Sequence, residues 1–247
     1  MIRFFDVFFS TLILLFCAPF IIIISLLIIT ESSGGIIFRQ LRVGRYGNDF
    51  YIYKFRTMYR DSDKKGLLTI GKRDERVTKT GYFLRKYKLD ELPQFLNVLK
   101  GDMSIVGPRP EVRKYVDLYT EEQKKVLLLK PGITDFSSIV FSDEGDILKD
   151  KADPDIAYNQ LIRPWKSKLG IFYIDNRSSL VDLKLIYLTV IAILSRDRAL
   201  LKISKLLKIL NANDELVRVS LRHDILIPTP PPGSSKIVTN REGKVDY

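Results

Sequence analysis

Two adjacent acids, Asp90 and Glu91, sit inside the stretch Lys88 to Pro110 and are the residues whose types and spacing best suit chemistry. They precede Pro93, and the apolar run Phe95, Leu96, Val98 and Leu99 follows. Proline is tolerated in a first helical turn, where its missing N–H would have no partner anyway. Both carboxylates therefore lie at or just before a predicted helix N-terminus. Free N–H groups there, and the positive end of the dipole, favour anions such as phosphate. Lys100-Gly101-Asp102 reads as the helix stop, with Gly101 at the left-handed cap. Beyond it, Gly107-Pro108-Arg109-Pro110 is a rigid turn that holds one arginine in place. An isolated Asp-Glu pair is more often an acidic cap than a reaction centre. The basic context on both sides shifts the balance here.

Composition bounds what partner such a pair serves. The 247 residues carry 40 Lys+Arg against 29 Asp+Glu, a net charge of +11. That excess implies an anionic partner, whether nucleic acid, an anionic leaflet or a phosphorylated substrate. The single cysteine, Cys17, excludes a disulfide framework within the chain and fits a reducing compartment. The single histidine, His223, lies far from the acids. A Cys/His zinc cluster and a histidine-dependent triad at Asp90 are thereby excluded.

The positioning elements follow in chain order. Val7 to Ile29 carries no charge, a run of 23 residues against the roughly 20 that cross a bilayer. No small-residue cleavage site follows it, which argues against a signal peptide. The run reads either as a plain span or as a re-entrant helix broken at Ala18-Pro19. Arg3 on one flank and Arg39, Arg42 and Arg45 on the other suit two ends on one side of the membrane. Ile36 to Gln40 and Phe50 to Met58 are predicted strands around the turn Gly44 to Asn48. In the second, Tyr51, Tyr53 and Phe55 alternate with Ile52, Lys54 and Arg56. The segment 60–72 reads as a surface loop without chemistry. A short helix after Thr80 aims Arg85 towards Asp90. Pro110 and Glu111 open a further predicted helix, and Thr120 to Gln123 form a capping box for the next. Asp153-Pro154 caps another, with Trp165, Leu169 and Phe172 on one face of its successor. Ser179-x-x-Asp182 is also a capping box, before an apolar helix to Leu194 that is short for a span. Lys202, Lys205 and Lys208 then oppose Ile203, Leu206, Leu207 and Leu210, a basic amphipathic helix suited equally to an anionic surface or to packing on the domain. Residues 228–235 read as a Pro/Gly/Ser linker before a polar tail. No P-loop or Gly-x-Gly-x-x-Gly motif supports a Rossmann unit.

Leu89-Asp90-Glu91-Leu92-Pro93-Gln94, Asn97 to Ser104 and Val106-Gly107-Pro108-Arg109-Pro110 resemble the signature of bacterial sugar transferases. Phe38-Arg39-Gln40-x-Arg42-x-Gly44, Lys54 to Met58, Arg76-x-Thr78-x-x-Gly81-x-x-Leu84-Arg85, Lys130 to Thr134 and Asn176-x-Ser178-x-x-x-Asp182-x-Lys184 extend the likeness. These are the monotopic phosphoglycosyl transferases, which move a phospho-sugar from a UDP-sugar onto a membrane polyprenyl phosphate. The resemblance implies an α+β, mostly helical fold. It comprises a re-entrant membrane helix (1–33) and a catalytic domain with a short β-hairpin and interfacial amphipathic helices (34–195); the likeness reaches about Ile193, and the basic extension (196–227) and the linker with a tail (228–247), read from the residues themselves, lie beyond it. It implies Asp90 as the nucleophile and Glu91 as the Mg²⁺ ligand, with Lys54, Arg56, Arg85, Arg109 and Asp182 contacting substrate. The implied setting is the cytoplasmic face of the inner membrane, with membrane lipid as a further partner and no nucleic acid; a homo-oligomer is compatible. Lys88 stands where the family usually has serine, and Asp135 to Ser138 with the acidic stretch Asp143, Glu144 and Asp146 replaces Gly-Trp-Ala-Gln and Gly-Arg-Asn. That region helps shape the family's sugar-nucleotide pocket, so sugar identity does not carry over. Two rivals remain: a non-catalytic adaptor binding anionic lipid or nucleic acid, and a glycosyltransferase that moves the sugar alone.

Overall fold

The uncharged run lies within one helix, α1 (Ile2–Glu31), which continues through Pro19, so the break expected at Ala18-Pro19 is not a gap in the helix. The computed structural model describes residues 2–62, 68, 70, 71 and 74–241, and parts of the 60–72 loop and of the tail lie outside them. Among the described residues α1 is the one helix long and apolar enough to cross a membrane. Its middle is bare, with Leu15, Phe16 and Phe20 exposed, while its two ends are docked. At the N-terminal end Arg3 donates to the carbonyls of Val98 and Leu99. The buried Asp6 carboxylate accepts from Ser104 Oγ at 2.8 Å and Ile105 N at 3.1 Å. At the other end Glu31 accepts from Lys79 N at 2.6 Å and Thr80 N at 2.8 Å.

The hairpin forms as the turn residues dictate. Strands β1 (Ile37–Val43) and β2 (Asp49–Phe55) pair antiparallel with Phe38 opposite Lys54. Helix α2 (Lys79–Lys86) is capped by Thr78, whose hydroxyl accepts from Gly81 N at 2.9 Å. Glu31 takes the preceding two N–H groups, so the first turn of α2 is fully occupied. Gly81 is required there, because a Cβ would lie 2.1 Å from the Thr57 carbonyl oxygen. Helix α3 (Gln94–Lys100) begins after Pro93 and ends at Gly101, which takes the left-handed cap with φ 96°.

Two short strands, β3 (Ser104–Val106) and β4 (Gly132–Thr134), pair in parallel. Nothing local in the sequence marks this pairing. It brings two glycines into backbone contact, since a Cβ on Gly132 would stand 2.1 Å from Gly107 N. The helix expected from Pro110 starts later and is only one turn, α4 (Arg113–Val116), and Glu111 ahead of it accepts from Tyr158 OH at 2.6 Å. The Thr120 capping box is present, with Gln123 N donating to Thr120 Oγ1 and Thr120 N to Gln123 Oε1, each at 3.2 Å. Five helices surround the core: α5 (Phe136–Val140), α6 (Glu144–Leu148), α7 (Pro154–Ala157), α8 (Arg163–Asp175) and α9 (Ser179–Leu194). Asp153 caps α7 as expected, and Trp165 is buried in the core. For α9 the cap is Ser178 rather than Ser179, its side chain accepting from Val181 N.

The extension beyond 195 shares this core. In α10 (Arg196–Ile209) the apolar face carrying Ile203, Leu206 and Leu207 is buried, and the three lysines point outward. Leu216 and Val217 of α11 (Asp214–Leu221) join the same cluster. Asp143, from the acidic stretch, pairs with Arg196 at 2.9 Å and Arg222 at 3.4 Å and so fastens α10 and α11 to the α5–α6 turn. The described tail is a strap rather than a solvated linker. Thr229 N donates to the Gln160 carbonyl at 3.0 Å, Gln160 Nε2 to the Val238 carbonyl at 2.6 Å, and Arg241 reaches Asp153 at 2.6 Å. Val238 is completely buried. Val238→Asp places a charge in an apolar seat and is expected to cost about 2–4 kcal/mol, read by denaturation in detergent. Thr239→Ala, on the exposed side of the strap, should change stability by less than about 0.5 kcal/mol.

Candidate active site

A cavity of about 550 Å³ opens beside β2, lined by side chains from α2, the Asp90 turn, the Arg109 turn and the α5–α6 region. Asp90 and Glu91 occupy a short 3₁₀ turn, Leu89–Glu91, entered through Lys88 in the left-handed conformation at φ 55°. A non-glycine residue held at positive φ stores local strain and fixes the direction in which the turn begins. Lys88 is anchored by its own side chain, which donates to the Ser138 carbonyl at 3.2 Å.

Glu91 is gripped from two sides. Lys54 Nζ lies 2.9 Å from Oε1, while Arg109 donates from both terminal nitrogens, Nη1 to Oε2 at 3.3 Å and Nη2 to Oε1. Burial pushes the Glu91 carboxyl up, but Arg109, Lys54 and Lys88 together outweigh it and hold it well below the usual carboxylate range. Glu91 in turn raises Arg109 further above its ordinary value. Asp90 behaves oppositely. It is 8% exposed, and burial pushes its carboxyl up; Lys54 opposes this, Glu91 adds to it, and the net direction is upward. Among the described residues Asp90 holds no ion pair of its own. Two neighbouring carboxylates are thus driven apart in proton affinity, one locked as an anion and one left available.

Arg85 lines the same cavity as expected, with Nε donating to Thr57 Oγ1 at 2.8 Å. Arg56 also borders it, but its guanidinium donates to the carbonyls of Ser33 and Gly34 and so ties β2 to the chain leaving α1. Asp182 lies outside the cavity lining, where it accepts from Tyr173 OH at 2.6 Å. Its role in these contacts is structural. Sequence reasoning missed several lining residues. Lys88 registers there only as a departure, Glu111 as a helix start, Arg60, Asp61 and Ser62 as part of a loop, and Tyr59 not at all. Lys166 and Tyr158 give no local signal at all.

Mg²⁺ is a hard cation that binds through one or two carboxylates together with phosphate oxygens and water. The donor set fits that pattern. Glu91 Oε2 carries one contact at 3.3 Å and retains acceptor capacity. No group of three or more acidic, His or Cys ligands occurs among the described residues, so a cation held here would need substrate oxygens and water to complete its coordination.

A buried carboxylate beside a fixed ion pair, in a cavity rich in lysine and arginine, defines a site for phosphoryl chemistry on an anionic substrate. Residues 1–196 match the bacterial sugar transferase family, and the chain belongs to it. It is accordingly an enzyme of the phosphoglycosyl transferase class. It is 40% identical over 182 residues to the sugar transferase EpsL of Bacillus subtilis, covering 73% of this chain and 81% of that one. It is 39% identical over 160 residues to the UDP-N-acetylgalactosamine-undecaprenyl-phosphate N-acetylgalactosaminephosphotransferase of Aeromonas hydrophila, covering 63% and 38%. It is 40% identical over 190 residues to the UDP-glucose:undecaprenyl-phosphate glucose-1-phosphate transferase of Klebsiella pneumoniae, covering 75% and 38%. The chain thus spans well under half of these last two proteins.

The opposed influences on Asp90 give a direct test. Carbon-13 NMR of labelled aspartate in metal-free protein should find Asp90 titrating above the ordinary 3.8. Lys54→Met removes an attracting cation and should move the titration further up, while Glu91→Gln removes a repelling anion and should move it down. Shifts in the same direction for both variants would contradict this account of the site.

Proposed function

We propose that this protein transfers a phospho-sugar from a UDP-sugar to a polyprenyl phosphate and releases UMP, as the first membrane step of glycoconjugate assembly. The observation that carries the reading is Asp90, buried and without an ion pair, next to a Glu91 fixed by Lys54 and Arg109. Asp90 Oδ attacks the β-phosphorus of the donor, the bond from that phosphorus to the bridging oxygen breaks, and UMP leaves with the electron pair. An oxygen of the polyprenyl phosphate then attacks the same phosphorus and returns Asp90 as a free carboxylate. A carboxylate is a weak nucleophile, but holding it against the diphosphate makes the encounter effectively intramolecular. Lys54, Arg85 and Arg109 orient the diphosphate and balance its charge. Glu91 would hold Mg²⁺, which when bound supplies further neutralisation of phosphate charge. The relatives from Aeromonas and Klebsiella, named for undecaprenyl-phosphate acceptors and UDP-sugar donors, support the substrate classes.

The acceptor places the reaction at a membrane, and α1 supplies the anchor. Because Arg3 and Asp6 at one end and Glu31 at the other dock on the same globular body, we read α1 as re-entrant, entering and leaving on the cytoplasmic face. Single cysteines at Ile2 and Ser33, in a Cys17→Ser background, should both label from the cytoplasmic side only. Labelling of the Ile2 position from the opposite side would rule the topology out.

Asp90→Asn keeps the shape of the side chain and removes the nucleophile. It should abolish UMP release, a loss of at least about 10³-fold, and with it the phosphosugar adduct that intact-protein mass spectrometry detects with donor alone. An adduct that persists in Asp90→Asn, or that maps to another residue, would overturn the assignment. Release of UDP in place of UMP would instead identify transfer of the sugar without its phosphate.

A further inference from the structure

The cavity is not uniform in charge. Around Asp90 and Glu91 stand Lys54, Arg85, Lys88 and Arg109, four cations to two anions, which suits a diphosphate. The rest of the wall includes a second cluster that the phosphoryl chemistry does not use. Lys166 Nζ lies 2.7 Å from Glu144 and 3.5 Å from Glu111, and Tyr158 OH donates to Glu111 at 2.6 Å. Arg42 stands behind Glu111 at 3.8 Å, so this cluster has two acids and two bases and no net charge. Its inner members are as enclosed as the catalytic pair: the side chains of Lys166 and Glu111 are 13% and 10% exposed against 12% for Glu91, whereas Tyr59 on the same cavity wall is 47% exposed.

We infer that Glu144 and Lys166, backed by Glu111 and Tyr158, grip the uncharged sugar ring of the donor and set its selectivity. Carboxylate acceptors alternating with ammonium and hydroxyl donors are the set that pairs with neighbouring hydroxyls of an uncharged ring. A neutral cluster offers a diphosphate no advantage over the cationic one. The ribose of the nucleotide has similar hydroxyl chemistry, and the order of events decides between them. This inference rests on the proposed phosphosugar transfer, in which UMP departs while the phosphosugar stays. The group that stays needs buried contacts of its own apart from the phosphate-facing cations, which Lys166 and Glu111 offer, and the group that leaves needs the exposed side near Tyr59.

Glu144 belongs to the acidic stretch 143–146 and Lys166 to α8, so the two come together only in the fold. Their opposite charges give the inference a signature that a merely structural ion pair lacks. Glu144→Gln leaves Lys166 partly unneutralised, which should favour a donor whose sugar carries a carboxylate. Lys166→Met leaves Glu144 without its cation and Glu111 with Arg42 alone, a net negative cluster that should penalise that donor further.

The test uses the full chain in nanodiscs with undecaprenyl phosphate. UMP release is followed from UDP-glucose, UDP-N-acetylglucosamine, UDP-N-acetylgalactosamine and UDP-glucuronate. The wild type should prefer an uncharged sugar. Glu144→Gln should raise KM for that donor about five- to tenfold and raise the relative kcat/KM for UDP-glucuronate by a similar factor. Lys166→Met should lower the same ratio. Inhibition by UMP should be unchanged in both variants, since the nucleotide lies elsewhere. Parallel weakening of UMP inhibition would show that the cluster reads the nucleoside, and unchanged ratios in folded Glu144→Gln protein would show that the pair is structural; either result overturns the inference. Wild-type protein that releases UMP from no donor would overturn the functional reading itself, and the inference with it.

Discussion

The Glu91 carboxylate is the point at which the chain's separate elements are tied together. It belongs to the turn before α3, Lys54 to the second hairpin strand, and Arg109 to the turn after β3. One anion therefore fixes three backbone segments relative to one another. A buried ion pair is a poor source of net stability, because removing both charges from water costs about as much as their attraction returns. Its value lies in geometry. Losing one partner leaves a stranded charge at a cost of about 3–5 kcal/mol, so the fold tolerates only arrangements in which all three meet. The same contact determines what Asp90 is. Lys54 and Arg109 are turned to Glu91, so the adjacent carboxylate stays close to cations without an ion pair of its own among the described residues, while their remaining N–H donors are left for substrate.

That contact depends in turn on a side chain with no chemistry of its own. Asn97 is completely buried and behaves as an extra strand residue along β2: its Oδ1 accepts from Tyr53 N at 3.0 Å and its Nδ2 donates to the Tyr51 carbonyl at 2.7 Å. These two bonds set α3 at a fixed height on β2, and Lys54 follows immediately. On the other side, the close approach of Gly107 and Gly132 lets β3 and β4 pair, which delivers Arg109. A larger residue at either glycine would separate backbones that must touch. Backbone register, rather than the acidic pair alone, thus makes the site.

What the sequence discloses follows from how local each cause is. The hairpin, the Gly101 cap, the Thr120 capping box and the Asp153 cap each depend on residues within one turn of one another, and each is present. Asp90, Glu91, Lys54, Arg85 and Arg109 are legible through the motif, and the fold brings them to one cavity. Asp182 shows the limit of that route, because a carboxylate in a motif also has a structural use, and here Tyr173 takes it. Arg56 is similar, spent on carbonyls after α1. The β3–β4 pairing, the strap at Val238 and the Glu111–Lys166–Glu144 cluster depend on contacts between residues distant in the chain. Single residues meeting across such distances leave no period or turn signal to read. The amphipathic α10 was ambiguous for a different reason, since an apolar face does not say whether lipid or protein covers it. Buried Ile203, Leu206 and Leu207 answer that for this helix.

The anchoring of α1 carries the last step. At 1.5 Å per residue its 30 residues reach about 45 Å, against a hydrocarbon core of about 30 Å. A straight crossing would therefore carry one end to the far side of the bilayer, away from the domain. Yet the polar contacts sit at both ends, Arg3 and Asp6 against α3 and β3, and Glu31 against α2. Asp6 is buried, and a carboxylate stripped of both water and its two donors would cost several kcal/mol in an apolar setting. Glu31 likewise occupies N–H groups that α2 must otherwise leave unsatisfied. Moving either end away from the domain sacrifices these contacts, so the proposed one-sided topology rests on the charged residues at the two ends more than on Pro19. The same docking puts the exit of α1 beside Arg56, which borders the cavity that holds Asp90.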